Sequence, residues 1–76
     1  MSSATDILAA LGGTANVNEV AACITRLRVN VVNTQSVSED ALKQAGAYGV
    51  VVHGSTVQVV VGPEADHLAG EIAKLR

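Results

Sequence analysis

The sequence predicts an α+β fold: a four-stranded antiparallel sheet with three helices on one face. Three observations carry this. Leu27, Val29 and Val31 alternate with Arg26, Arg28 and Asn30, the period-two pattern of a half-buried strand. Gly54-Ser55 separates two valine-rich runs and reads as the tight turn of a β-hairpin. Three segments place apolar residues on one helical face and are bounded by capping residues or glycine.

Residues 4–11 form the first predicted helix, with Ile7, Leu8 and Leu11 on one face and Ser3 or Thr5 as its cap. Gly12-Gly13 stops it, because glycine takes the left-handed conformation at little cost. Residues 14–18 read as a loop. A first strand over 17–22 is followed by a stronger one over 25–32, and Cys23-Ile24-Thr25 falls at their junction. The polar run Asn33-Thr34-Gln35-Ser36 leads to Ser38, the cap of a helix over 39–45 that Gly46 ends. Residues 50–53 and 57–61 make the second hairpin, and their valine runs predict burial on both faces for part of each strand. Pro63 suits the first turn of the last helix. Ala65, Leu68, Ala69, Ile72 and Leu75 form its apolar stripe, with Lys74 and Arg76 at its negative end. The order is α-β-β-α-β-β-α, and strand order across the sheet does not follow from it.

With 76 residues, the chain is one domain spanning 1–76. Tyr48 is its one aromatic residue, so the core is built from Val, Ile, Leu and Ala. A net charge of −2 offers no general attraction to nucleic acid or anionic lipid. One cysteine excludes an internal disulfide and suits a cytoplasmic location. Neither a membrane span nor a signal peptide is expected; Met1-Ser2-Ser3-Ala4 begins no basic-then-apolar pattern.

That cysteine, Cys23, stands beside Arg26 and Arg28, which project from the polar face of the following strand. Guanidinium groups stabilise a thiolate and also bind phosphate oxygens. A thiolate attacking a phosphoryl donor yields a thiophosphate ester of charge about −2, which such cations clamp. Backbone N–H groups of the turn after Cys23 can add an anion cradle. Within about six residues lie a nucleophile, a charge clamp and a cradle, the parts a phosphoryl-transfer site requires. The bland alternative is a buried, inert cysteine with solvated arginines. The residues alone leave both readings open.

Cys23-Ile24-Thr25-Arg26-Leu27-Arg28 resembles the hexapeptide of the IIB domain of the bacterial phosphoenolpyruvate-dependent sugar phosphotransferase system, glucose/N-acetylglucosamine family. Further similarity runs through Ala10-Leu11-Gly12-Gly13 before Asn16, Leu42-Lys43, Gly46-Ala47, Gly49-Val50, Gly54, Val57-Gln58 and Gly62. The resemblance implies a split α/β sandwich and a phosphocysteine relay. Cys23 accepts a phosphoryl group from a phosphohistidine of a IIA protein. It then donates that group to a sugar, N-acetylglucosamine or glucose, held by a membrane IIC permease. Arg26 and Arg28 map onto the residues that serve transfer to sugar, and Ile24 and Thr25 onto positions whose backbone cradles phosphate. No cofactor or metal, no nucleic acid and no membrane insertion are implied, and a monomer is expected to dock at the inner face of the membrane. Many family members fuse this unit to IIC or IIA; here it stands alone, as a free subunit or an excised domain.

Two other function classes fit the same residues: a non-catalytic regulatory module of this fold, and a redox-sensing thiol that takes its resolving cysteine from another protein. Intact Cys23, Arg26 and Arg28 argue against the first. His53 and His67 read as surface residues, since two His and one Cys show no metal-ligand spacing. Gln58 reads as a hydrogen-bonded or solvent-facing strand residue, Glu19 as a charge tempering the local positive field, Glu64 and Asp66 as helix-start charges, and Tyr48 as a lid on the small core or, second, an exposed residue that touches a partner.

Overall fold

The computed structural model describes residues 3–76, without the side chain of Ser3. The expectations for Met1-Ser2 and for a Ser3 cap lie outside the described residues. Helix α1 (Ser3–Ala10) is followed by a 3-10 turn, Thr14–Asn16. Strands β1 (Val17–Cys23) and β2 (Arg26–Val31) form the first hairpin. A second 3-10 turn, Thr34–Ser36, precedes α2 (Glu39–Gln44). Strands β3 (Gly49–His53) and β4 (Thr56–Val60) form the second hairpin, and a third 3-10 turn leads into α3 (Ala65–Leu75). The four strands pair antiparallel in the order β1-β2-β4-β3. The predicted α+β class, element order and helical layer are those observed. None of the helices is long and apolar enough to cross a membrane, among the described residues.

Period-two alternation decides which face of the sheet is covered. Leu27 pairs with Val59 and Val29 with Val57, and all four are fully buried. Opposite them stand Ile7, Leu42 and Ile72, one from each helix, with Leu11 just past the end of α1. Each such side chain contributes roughly 1.5–3 kcal/mol on leaving water. α3 packs on β1 and β2, α2 on β3, and α1 rests against both other helices. Among the described residues, the other face of the sheet carries no helix.

Local chemistry sets the element ends much as expected. Ser38 Oγ accepts from the Ala41 N–H at 3.2 Å and caps α2. Gly46 follows the C-cap with φ of 114°. Asn16, placed in a simple loop by its sequence, is instead a buried hub. Its Nδ2 donates to the carbonyls of Leu11 and Asn33, and its Oδ1 accepts from the Asn33 N–H. It thereby ties the end of α1 to the end of the first hairpin.

Two expectations fail. The valines of the second hairpin are buried on one face: Val57 and Val59 turn to the helices, whereas Val51, opposite Gln58, faces the other side, and Val52, opposite Val57, is exposed on edge strand β3. Tyr48 does not lid the core either. It is 79% exposed, and its ring lies over Gly62, where an added Cβ would meet Cε2 at 3.2 Å. The stripe of α3 holds except at its end, where Leu75 is exposed.

Candidate functional site

Cys23 is the last residue of β1, and Arg26 the first of β2; the two face each other in register. Residues directly opposite in an antiparallel pair share one face, with Cβ atoms about 5 Å apart. Arg28, two residues on and opposite Ala21, points to the same side. Because Leu27 and Val29 must turn inward, Cys23, Arg26 and Arg28 are all forced onto the helix-free face, and all are exposed. The structure thus brings together the predicted nucleophile and both predicted cations, and the buried-cysteine alternative does not hold.

Ile24 and Thr25 are the two central residues of the hairpin turn. Ile24 has φ of 57°, the one non-glycine residue with positive φ among those described. A β-branched residue pays a steric penalty there, of the order of 1–3 kcal/mol. Its side chain projects into solvent, 89% exposed. The turn is anchored through the Thr25 carbonyl, which accepts from the N–H groups of Val61 at 3.0 Å and Gly62 at 2.9 Å. The N–H groups of Ile24 and Thr25 have no protein acceptor among the described residues. Both residues follow directly on Cys23 in the chain.

Gln58, to which its sequence context assigned no chemistry, belongs to this site. It stands opposite Arg28 in the β2–β4 register and accepts from Arg26 Nη1 at 2.8 Å. Only its place between inward-facing Val57 and Val59 hinted at this, by turning it to the arginine side. Arg28 borders an open cavity of about 290 Å³ with Glu19, Ala21, Asn30 and Thr56. Glu19 therefore shares a cavity with Arg28, but forms no ion pair with it among the described residues. A larger groove, about 450 Å³, lies between α1 and α2 on the helical side and contains none of these groups. His53 and His67 are exposed, at the end of the second hairpin and on α3 respectively.

Residues 5–37, which include the first hairpin, match the family described as phosphotransferase system, EIIB. A Streptomyces coelicolor protein described as the PTS system N-acetylglucosamine-specific EIIB component is 52% identical over 71 residues, 93% of this chain and 92% of that protein. One domain of the PTS system IIabc component from Clostridium difficile superposes with a TM-score of 0.80 at 19% identity, covering 95% of this chain and 76% of that one, which shows the shared fold. The chain belongs to the IIB components of the bacterial phosphotransferase system, glucose/N-acetylglucosamine family, which act with IIA and IIC partners in sugar phosphotransfer.

Proposed function

We propose that residues 1–76 act as a single phosphocarrier unit, with Cys23 as the phosphoryl acceptor. The observation that carries this is the pairing of an exposed thiol with Arg26 across the first hairpin, with Arg28 on the same open face. In the first step the Cys23 thiolate attacks the phosphorus of a phosphohistidine on IIA. An S–P bond forms, the P–N bond breaks, and its electron pair stays on the imidazole nitrogen. In the second step a sugar hydroxyl on IIC attacks the same phosphorus. A P–O bond forms, the S–P bond breaks, the thiolate leaves, and the hydroxyl proton passes to a base. Arg26 and Arg28 stabilise the charge on the equatorial oxygens, and the N–H groups of Ile24 and Thr25 add fixed donors.

An exposed, shallow site suits this chemistry. Two proteins must each bring a reacting atom to Cys23 in line, and each must leave, so small transient interfaces serve better than a deep pocket. Exposed Ile24 supplies an apolar contact beside the thiol. The similarity to an N-acetylglucosamine-specific component makes N-acetylglucosamine the sugar we propose. The unit works in the cytoplasm and docks on the membrane permease from that side.

Phosphorus NMR after addition of phospho-IIA tests the reading. The expected result is a thiophosphate signal that disappears when IIC and N-acetylglucosamine are supplied. A regulatory module or a redox thiol gives no such signal, and its absence overturns the proposal.

A further inference from the structure

Arg26 and Arg28 lie on one strand face, yet their guanidinium groups are held differently. Arg26 donates to Gln58 Oε1 at 2.8 Å, whereas Arg28 has no hydrogen-bond or ion-pair partner among the described residues and borders an open cavity. Strand order gives this difference a direction. β2 lies between β1 and β4, so Cys23 is on one side of Arg26 and Gln58 on the other. The bond to Gln58 draws the guanidinium toward β4, away from the thiol that Arg26 faces in the backbone register.

We propose that Gln58 is a positioning residue, a latch that holds the Arg26 guanidinium on the β4 side while Cys23 is a free thiol and releases it when Cys23 carries a phosphoryl group. The inference rests on Cys23 being the phosphoryl acceptor. A neutral amide oxygen is a single uncharged acceptor. A thiophosphate offers three oxygens and a charge of about −2, to which a planar guanidinium binds in two-point fashion. The phosphoryl group therefore outcompetes the amide for Arg26, and only after uptake does the second arginine cross to the thiol side. Arg28, unlatched, is the cation that meets the incoming donor. Arg26 joins for donation to sugar. Gln58 is half-buried between Val57 and Val59, whose inward side chains fix its direction, so the latch is built into β4 itself.

The test is alkylation of Cys23 by iodoacetamide at neutral pH in the unphosphorylated chain, with the rate followed by mass spectrometry. Releasing the latch lets Arg26 approach and stabilise the reactive thiolate, so Gln58→Leu is expected to alkylate roughly two- to fivefold faster than wild type. Gln58→Ala, which avoids crowding on the sheet face, is expected to do the same. Gln58→Glu keeps an acceptor for Arg26 and is expected to alkylate no faster than wild type. In an Arg26→Ala background Gln58→Leu is expected to have no further effect, a dependence that a merely structural role for Gln58 would not produce. Unchanged rates in both Gln58→Leu and Gln58→Ala, or a gain that persists without Arg26, overturn the latch. Alkylation needs no phosphoryl donor, so the two readings fail separately. Wild-type protein that takes no phosphoryl group from phospho-IIA overturns the carrier function. Wild-type protein that takes it, with Gln58 variants alkylating at the wild-type rate, overturns the latch alone.

Discussion

The two hairpins of this sheet turn in the same way and differ in what they place at the turn. Each has two central residues, Ile24-Thr25 and Gly54-Ser55, and in each the first has positive φ, 57° and 60°. Glycine at that position is the expected solution. Isoleucine is among the least expected, since its branched Cβ crowds the backbone there. The turns lie at opposite ends of the sheet: Arg26 pairs with Val60 beside the first, and Asn30 with Thr56 beside the second. The second turn only reverses the chain. The first reverses it while holding an apolar side chain in water beside an exposed thiol and two guanidinium groups. Strain of this kind persists where the surroundings over-determine it, here through two hydrogen bonds to the Thr25 carbonyl. The difference teaches that backbone strain and apolar exposure, both unfavourable for the isolated domain, coincide at the end of the sheet where partners are proposed to dock.

Substitutions at the two ends sharpen the contrast. The largest effect is expected for Cys23→Ser. The fold survives, because the side chain is exposed, but phosphoryl uptake from phospho-IIA is lost, since a hydroxyl is a far weaker nucleophile near neutral pH. Mass analysis after incubation with phospho-IIA checks this, and normal uptake would remove Cys23 from its role. Next come Arg26→Lys and Arg28→Lys, which keep the charge and lose the planar fork. For Arg26→Lys, donation to sugar is expected to fall by roughly tenfold or more and acceptance from IIA by less, whereas Arg28→Lys is expected to slow both. Equal losses of the two half-reactions in Arg26→Lys, measured separately, would erase that division.

Smaller effects are expected at the turns themselves. Ile24→Gly relieves the steric penalty but adds chain entropy to the unfolded state, so stability changes by no more than about 1 kcal/mol. Transfer from IIA is expected to fall a few-fold through a higher KM, because an apolar contact is lost. Gly54→Ile moves the strain to the second turn and is expected to cost about 1–2 kcal/mol, with transfer per folded molecule unchanged. Denaturant titration and kinetics on both variants check the pair. If Ile24→Gly transfers normally, the isoleucine has no docking role and the comparison between the turns reduces to one of stability.

Much of this was legible in the sequence because it depends on near neighbours. Alternation over Arg26–Val31 sets β2 and assigns its arginines to one face, since successive strand residues must point to opposite sides. Ser38 and Gly46 bound α2 by local hydrogen bonding and backbone freedom. Cys23, Arg26 and Arg28 could be grouped because a two-residue turn brings them together within the hairpin. The valine runs misled, because a run of apolar residues signals burial only where both faces are covered, and β3 is an uncovered edge.

What the sequence determined by itself, then, was the set of helices and strands, the covered face of β2 and the grouping of Cys23, Arg26 and Arg28 at the first hairpin. Tertiary structure decided the rest: the strand order, the bare outer face, the burial of Asn16, and the meeting of Gln58 with Arg26 across 32 residues of sequence. The physical reason is range. Turn geometry, capping and side-chain alternation act within a few residues. Which strand lies beside β2, and so which side chain reaches Arg26, depends on how the helices and both hairpins bury their shared apolar face together.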